Sequence, residues 1–154
     1  MKSFAYIGTL LLLSQCNPPC ANELPRIRVD VSVTPGRRVE RWQALGQREP
    51  FTVSGPVTGR QVLELPVDLN ATATRYTVQI DGKPDTLTVR YAVQLSDPSD
   101  KCGYSLRLTR PTQELAAQRA LGPVEAVYYD GDPLPPNLPV QYGQPGSVRV
   151  QLSL

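Results

Sequence analysis

From Leu87 to Leu95 the chain alternates between apolar and polar residues. Leu87, Val89, Tyr91, Val93 and Leu95 are apolar, Thr88, Arg90 and Gln94 between them are polar, and Ala92 is neutral. In a pleated strand such alternation puts all five large apolar side chains on one face and leaves the other face to water. That is the pattern of an antiparallel sheet packed on one side rather than of a fully buried parallel strand. A chain carrying this stretch is therefore expected to be built from half-buried strands.

Other segments repeat the pattern. Ile27, Val29, Val31 and Val33 alternate with Arg28, Asp30 and Ser32, which predicts a first strand over Arg26 to Val33. Thr34 to Arg38 is a turn, and Val39 to Ala44 is a short strand in which Trp42, the single tryptophan, is assigned to packing. Phe51 to Val53 reads as a further short strand or edge. Gln61 to Leu69 places Leu63, Leu65, Val67 and Leu69 together, but Pro66 lacks a backbone donor, so the strand should lie at an edge or bend there. Arg75 to Ile80 and the opening stretch are expected to form a hairpin through a five- or six-residue loop over Asp81 to Asp85. Tyr104 to Leu108, Val124 to Tyr129 and Val148 to Leu154 complete the strands. Pro111 opens and Gly122-Pro123 closes an alanine-rich segment, which predicts a short helix over Pro111 to Leu121. Sixteen prolines and eleven glycines suit many turns. The expected fold is all-β: one sandwich of seven or eight mostly antiparallel strands with one short helix. A partly open β-barrel is the alternative, because alternation does not set sheet order.

The N-terminal region reads differently. Lys2 followed by a short apolar run ending in Leu10 to Leu13 has the form of a secretory signal peptide over 1–15. The run is short of the roughly 20 apolar residues a spanning helix needs. Leu13-Ser14-Gln15-Cys16 resembles the bacterial lipobox, in which the cysteine is acylated and becomes the new N-terminus; Gln15 departs from its usual Gly, Ala or Ser. The chain has three cysteines, Cys16, Cys20 and Cys102. With Cys16 acylated, an even pair remains, and a Cys20–Cys102 disulfide is expected in an oxidising compartment. Cleavage after Ala21 instead would leave Cys102 alone. The division is therefore 1–15 signal peptide, 16–25 lipidated leader and 26–154 sandwich domain, with no boundary inside the last.

Composition narrows the chemistry. The chain has no histidine, which excludes a Ser-His-Asp or Cys-His centre, a His-ligated zinc and an imidazole switch. Asp97 to Asp100 and Asp130 to Asp132 offer carboxylates, but neither has the ligand count of a calcium loop, and both are ordinary turn sequences. No metal, cofactor or catalytic residue is expected. The net charge of +2 falls to about +1 without Lys2, and no basic run points to nucleic acid. Trp42, Tyr128 and Tyr129 are the candidates for a ligand-stacking surface, with core packing as the plainer role.

On these residues the chain resembles a family of small lipoproteins of unknown function from Bacteroidota-type bacteria. The resemblance rests on Cys16 with Cys20 soon after it, a Pro25-Arg26-Ile27-Arg28-Val29 strand and Leu65-Pro66-Val67 leading to Thr74-Arg75-Tyr76. It continues through Asp85 to Tyr91 and ends at Ser99 with Cys102-Gly103-Tyr104. The family often has acidic residues after the lipidated cysteine, where this chain has Asn17-Pro18-Pro19. In these bacteria such residues go with export to the cell surface, so the periplasmic side of the outer membrane is expected, with the surface as alternative. The resemblance implies a membrane anchor through acylated Cys16 (palmitate among its chains) and brings no established activity with it. The expected role is a non-catalytic envelope lipoprotein with an envelope protein as partner. The alternative is a module binding a glycan or peptide.

Overall fold

The computed structural model describes residues 24–46, 52–96, 104–112, 116–122, 124–129, 132–133 and 147–154. Eleven strands run through them: β1 Ile27–Ser32, β2 Val39–Leu45, β3 Thr52–Val57, β4 Arg60–Leu65, β5 Ala73–Ile80, β6 Lys83–Arg90, β7 Ala92–Ser96, β8 Ser105–Thr109, β9 Ala117–Arg119, β10 Ala126–Tyr128 and β11 Val148–Ser153. They form a four-stranded sheet ordered β10-β11-β1-β4, a five-stranded sheet ordered β3-β2-β5-β6-β9, and a separate β7-β8 pair. The first two sheets pack face to face as a β-sandwich, and neither closes into a barrel. All pairings are antiparallel except β1 with β11.

One core lies between the sheets. From the four-stranded side come Ile27, Val29, Val31, Leu63, Leu65, Val148, Val150 and Leu152; from the five-stranded side come Trp42, Tyr76, Val78, Leu87 and Val89. These are the positions that alternation assigns to one face of each strand. Because β11 lies between β10 and β1, the last strand of the chain is central, and its apolar side chains are buried. The outward face of β1 is not wet as its polar residues suggest. Arg28 and Asp30 are buried, tied across strands to Glu64 of β4 at 2.8 Å and to Arg149 of β11 at 2.6 Å.

Three sequence expectations change. The β5–β6 hairpin turns through two residues, not five or six: Asp81 and Gly82 take φ values of 51° and 73°. Two consecutive left-handed residues give the turn twist that matches paired strands, and Asp-Gly suits it. Pro84 therefore sits inside β6, opposite Gln79. The Asp81 carboxylate accepts the Arg38 N–H at 2.7 Å and the Arg37 guanidinium at 3.0 Å, clasping the β1–β2 connection. Those bonds, the backbone one first, hold its pKa below the usual carboxylate value.

Among the described residues of Pro111 to Leu121 the expected helix does not form: Ala117–Arg119 is β9, paired with Leu87 to Val89 at the edge of the five-stranded sheet. A short helix standing alone is marginal, whereas an open strand edge offers this segment a full ladder. The end of β9 is fixed by Asp85, fully buried, whose Oδ1 accepts the Ala120 and Leu121 N–H groups at 3.1 and 3.2 Å. The Arg119 guanidinium lies 3.2 Å from the same carboxylate and donates to the Ser153 carbonyl of β11 at 3.1 Å, so one arginine links the two sheets.

The third change concerns the stretch from Leu87 to Leu95. It is two strands in different sheets: β6 ends at Arg90, Tyr91 lies between the strands with its N–H on the Thr72 carbonyl at 3.0 Å, and β7 starts at Ala92.

Candidate functional site

The break falls at Tyr91, and tyrosine hydroxyls hold it. The connection from β4 to β5 (residues 66–72) carries the chain from one sheet to the other. Tyr76 Oη donates to the Pro66 carbonyl at 2.6 Å, and Tyr91 Oη donates to the Asp68 carbonyl at 2.7 Å. A phenol has one proton, so the 2.6 Å contact between Tyr91 Oη and Thr74 Oγ1 is a bond donated by the threonine. Thr74 Oγ1 in turn accepts the Asp68 N–H at 3.0 Å. From the opposite sheet, just past the end of β10, Tyr129 Oη donates to the Arg90 carbonyl at 2.7 Å. Arg110 stacks over the Tyr129 ring at 5.3 Å, and Asp132 bonds Arg110 and the Tyr129 N–H. Burial raises the pKa of all three tyrosines, Tyr129 to about 12. They are structural donors that stay protonated.

Beyond this anchored point the chain leaves the sandwich as the β7–β8 arm. Val93 pairs with Leu108 and Leu95 with Leu106, so the four share one face. That face begins in the core and ends in solvent. Leu108 is fully buried, whereas Val93 is 38% exposed and Leu95 59% exposed. Tyr104, immediately before β8, is 68% exposed. The expectation that all five apolar residues of the opening stretch are inward therefore holds for Leu87, Val89 and Tyr91 and fails for Val93 and Leu95. Alternation reports which side of a strand is apolar but not whether a second layer covers it, and among the described residues no strand covers the outer half of β7. Among the described residues, β7 and β8 pair only with each other, so both also present an open backbone edge. No sequence signal separates these two residues from the three preceding ones.

The other candidates do not converge. Trp42 lies buried in β2 of the five-stranded sheet, while Tyr128 lies in β10 of the four-stranded one. Tyr129 is buried against Arg110, so no stacking surface joins the three. Asp132 is committed to Arg110 and a backbone N–H. The expected acylation residue Cys16, the expected disulfide pair Cys20 and Cys102, and the carboxylates Asp97, Asp100 and Asp130 lie outside the described residues. Among the described residues no group of three or more metal-ligating side chains comes together.

Comparison with known proteins adds no relative: no family model matches the chain, and neither a curated protein nor a solved structure is similar to it. The reading of the site therefore rests on its own geometry.

Proposed function

We infer that this protein is a non-catalytic envelope lipoprotein, anchored through acylated Cys16, that binds another envelope protein through the β7–β8 arm. The observation that carries the reading is the apolar face of the arm. Val93, Leu95 and Tyr104 stand out of the sandwich together, beside strand edges that can extend a partner's sheet. A lone exposed leucine needs no explanation, but a contiguous apolar strip on a projecting hairpin is unfavourable in water unless something covers it.

The cysteines bear on where this arm would sit. Cys102 belongs to the segment that joins β7 to β8, and Cys20 follows the acylated Cys16 by four residues. A Cys20–Cys102 bridge would tie the tip of the arm to the leader. Four extended residues reach about 14 Å and a disulfide adds about 6 Å between Cα atoms, so the tip would be held within about 20 Å of the anchor. The partner is then expected at the periplasmic face of the outer membrane, with the cell surface as the alternative.

Site-specific photo-crosslinking in intact cells tests this directly. A crosslinker at Leu95 should give one discrete protein adduct, and one at Thr88, on the outward face of β6, should not give the same adduct. Crosslinking at Leu95 to lipid alone, or to nothing discrete, would sink the reading.

A further inference from the structure

The outward face of the five-stranded sheet carries a charge pattern that the sequence does not show. Its outward polar residues are Arg41 and Gln43 on β2, Arg75, Thr77 and Gln79 on β5, Thr86, Thr88 and Arg90 on β6, and Gln118 on β9, with Leu45, Ala73 and Pro84 as apolar residues among them. The outward positions of β5, β6 and β9 include no carboxylate; Glu40, at the bulge in β2, marks the border of the face. Among the described residues, Arg41, Arg75 and Arg90 have no ion-pair or hydrogen-bond partner for their guanidinium groups. On the four-stranded sheet the outward arginines are matched: Arg28 to Glu64, and Arg149 and Arg60 to Asp30. Cross-strand faces ordinarily pair opposite charges, and like charges set close together are unfavourable. Arg75 and Arg90, unmatched and close together, are thus a cost that an anion would remove, and Arg41 adds a further unmatched cation on the same face.

Their spacing selects the kind of anion. Arg90 is two residues past Thr88, the partner of Arg75, so Arg75 and Arg90 are diagonal neighbours, about 7–8 Å apart. Arg41 faces Gln79, four residues along β5 from Arg75, which puts it roughly 14 Å away. Three cations over that span cannot close on one small anion, but they can follow an extended chain of anionic groups. Two shallow depressions prepare the path. One, of about 210 Å³, lies between Arg75, Thr88, Arg90 and Gln118; the other, of about 280 Å³, lies between Arg41, Gln43, Thr77 and Gln79. The hydroxyls and amides lining the first depression both donate and accept, and in the second they flank Pro84 and Val78, which suits a sugar with its hydroxyl edges and apolar ring face. Arginine forks then take its carboxylate or phosphate groups in pairs. No aromatic ring faces outward among the outward residues named here, so the base stacking on which single-stranded nucleic acid binding relies is not offered.

We propose that the outward face of the β2-β5-β6-β9 strands binds an anionic glycan, with Arg75 and Arg90 as one anion contact and Arg41 as the next. This site is separate from the β7–β8 arm and does not depend on it.

The test is titration of the full chain at low salt with four probes. These are an oligogalacturonate (carboxylate), a phosphorylated mannan fragment (phosphate), a neutral dextran of similar length and an oligothymidylate. At least one anionic glycan should bind, and more tightly than the other two. The Arg75→Gln/Arg90→Gln variant should lose about tenfold in affinity. Arg60→Gln, on the opposite sheet, should leave affinity within about twofold of the parent. Unchanged circular dichroism and melting of the double variant exclude a folding defect. Equal binding of dextran, equal binding of the oligonucleotide, or an unaffected Arg75→Gln/Arg90→Gln variant would overturn the proposal.

Discussion

Tyr91→Phe isolates the device that divides the sandwich from the arm. The substitution keeps the ring, which is almost fully buried, and removes only the hydroxyl, so packing is unchanged. Two groups lose a partner: the Asp68 carbonyl and the Thr74 hydroxyl. A buried polar group left unpaired costs about 1–3 kcal/mol. The Asp68 carbonyl is only part-buried and can recover a water, while Thr74 is 1% exposed and cannot. The expected loss is therefore about 2 kcal/mol rather than the sum of two full penalties. With a urea m-value of about 2 kcal/mol/M, that moves the midpoint down by about 1 M. Trp42, the single tryptophan and 1% exposed, reports the transition by fluorescence. A double-mutant cycle with Thr74→Val should then show a coupling of at least about 0.5 kcal/mol, because the two hydroxyls share one bond. Tyr76→Phe, which loses a single bond to Pro66, should cost about half as much. A Tyr91→Phe loss below about 0.5 kcal/mol, or additivity in the cycle, would refute the proton assignment and the account of the corner.

The same tyrosines set the alkaline limit. Their folded pKa values are raised, so above pH 10 the unfolded chain gives up phenolic protons that the folded one keeps, and stability falls as pH rises. Unfolding free energies from urea titrations between pH 9 and 12 should drop by up to about 1.4 kcal/mol per pH unit for each such tyrosine, and a flat profile would be inconsistent with their burial. Asp85→Ala leaves the buried Arg119 guanidinium without its carboxylate and the Leu121 N–H without its acceptor, while Ala120 keeps the Thr86 carbonyl, and should cost about 3–5 kcal/mol in the same unfolding assay. Non-reducing peptide mapping should recover Cys20 joined to Cys102, and breaking that bridge should cost about 2–5 kcal/mol; two free thiols would remove the staple. Cys16→Ala should move the protein from the membrane fraction to the soluble one, and retention in membranes would remove the anchor.

The sequence by itself determined the class of fold and most of the core. Alternation along Arg26 to Val33, Arg75 to Ile80 and Val148 to Leu154 names inward residues correctly, because a strand's side-chain period is fixed by its own backbone. Likewise Pro66 marks the end of β4 at a sheet edge, since it has no donor to give. What alternation cannot carry is the neighbour. Whether Ala117 to Arg119 is a helix or a strand depends on the open edge of β6 and on the Asp85 carboxylate, 32 residues or more away. The central, parallel position of β11 and the gathering of Arg41, Arg75 and Arg90 on one face depend on sheet order. The sharpest case is the stretch from Leu87 to Leu95. Its residues define one apolar face throughout, yet only tertiary packing puts Leu87, Val89 and Tyr91 in the core and leaves Val93 and Leu95 outside. Facing is a local property of the strand, and burial requires a second layer that distant parts of the chain supply.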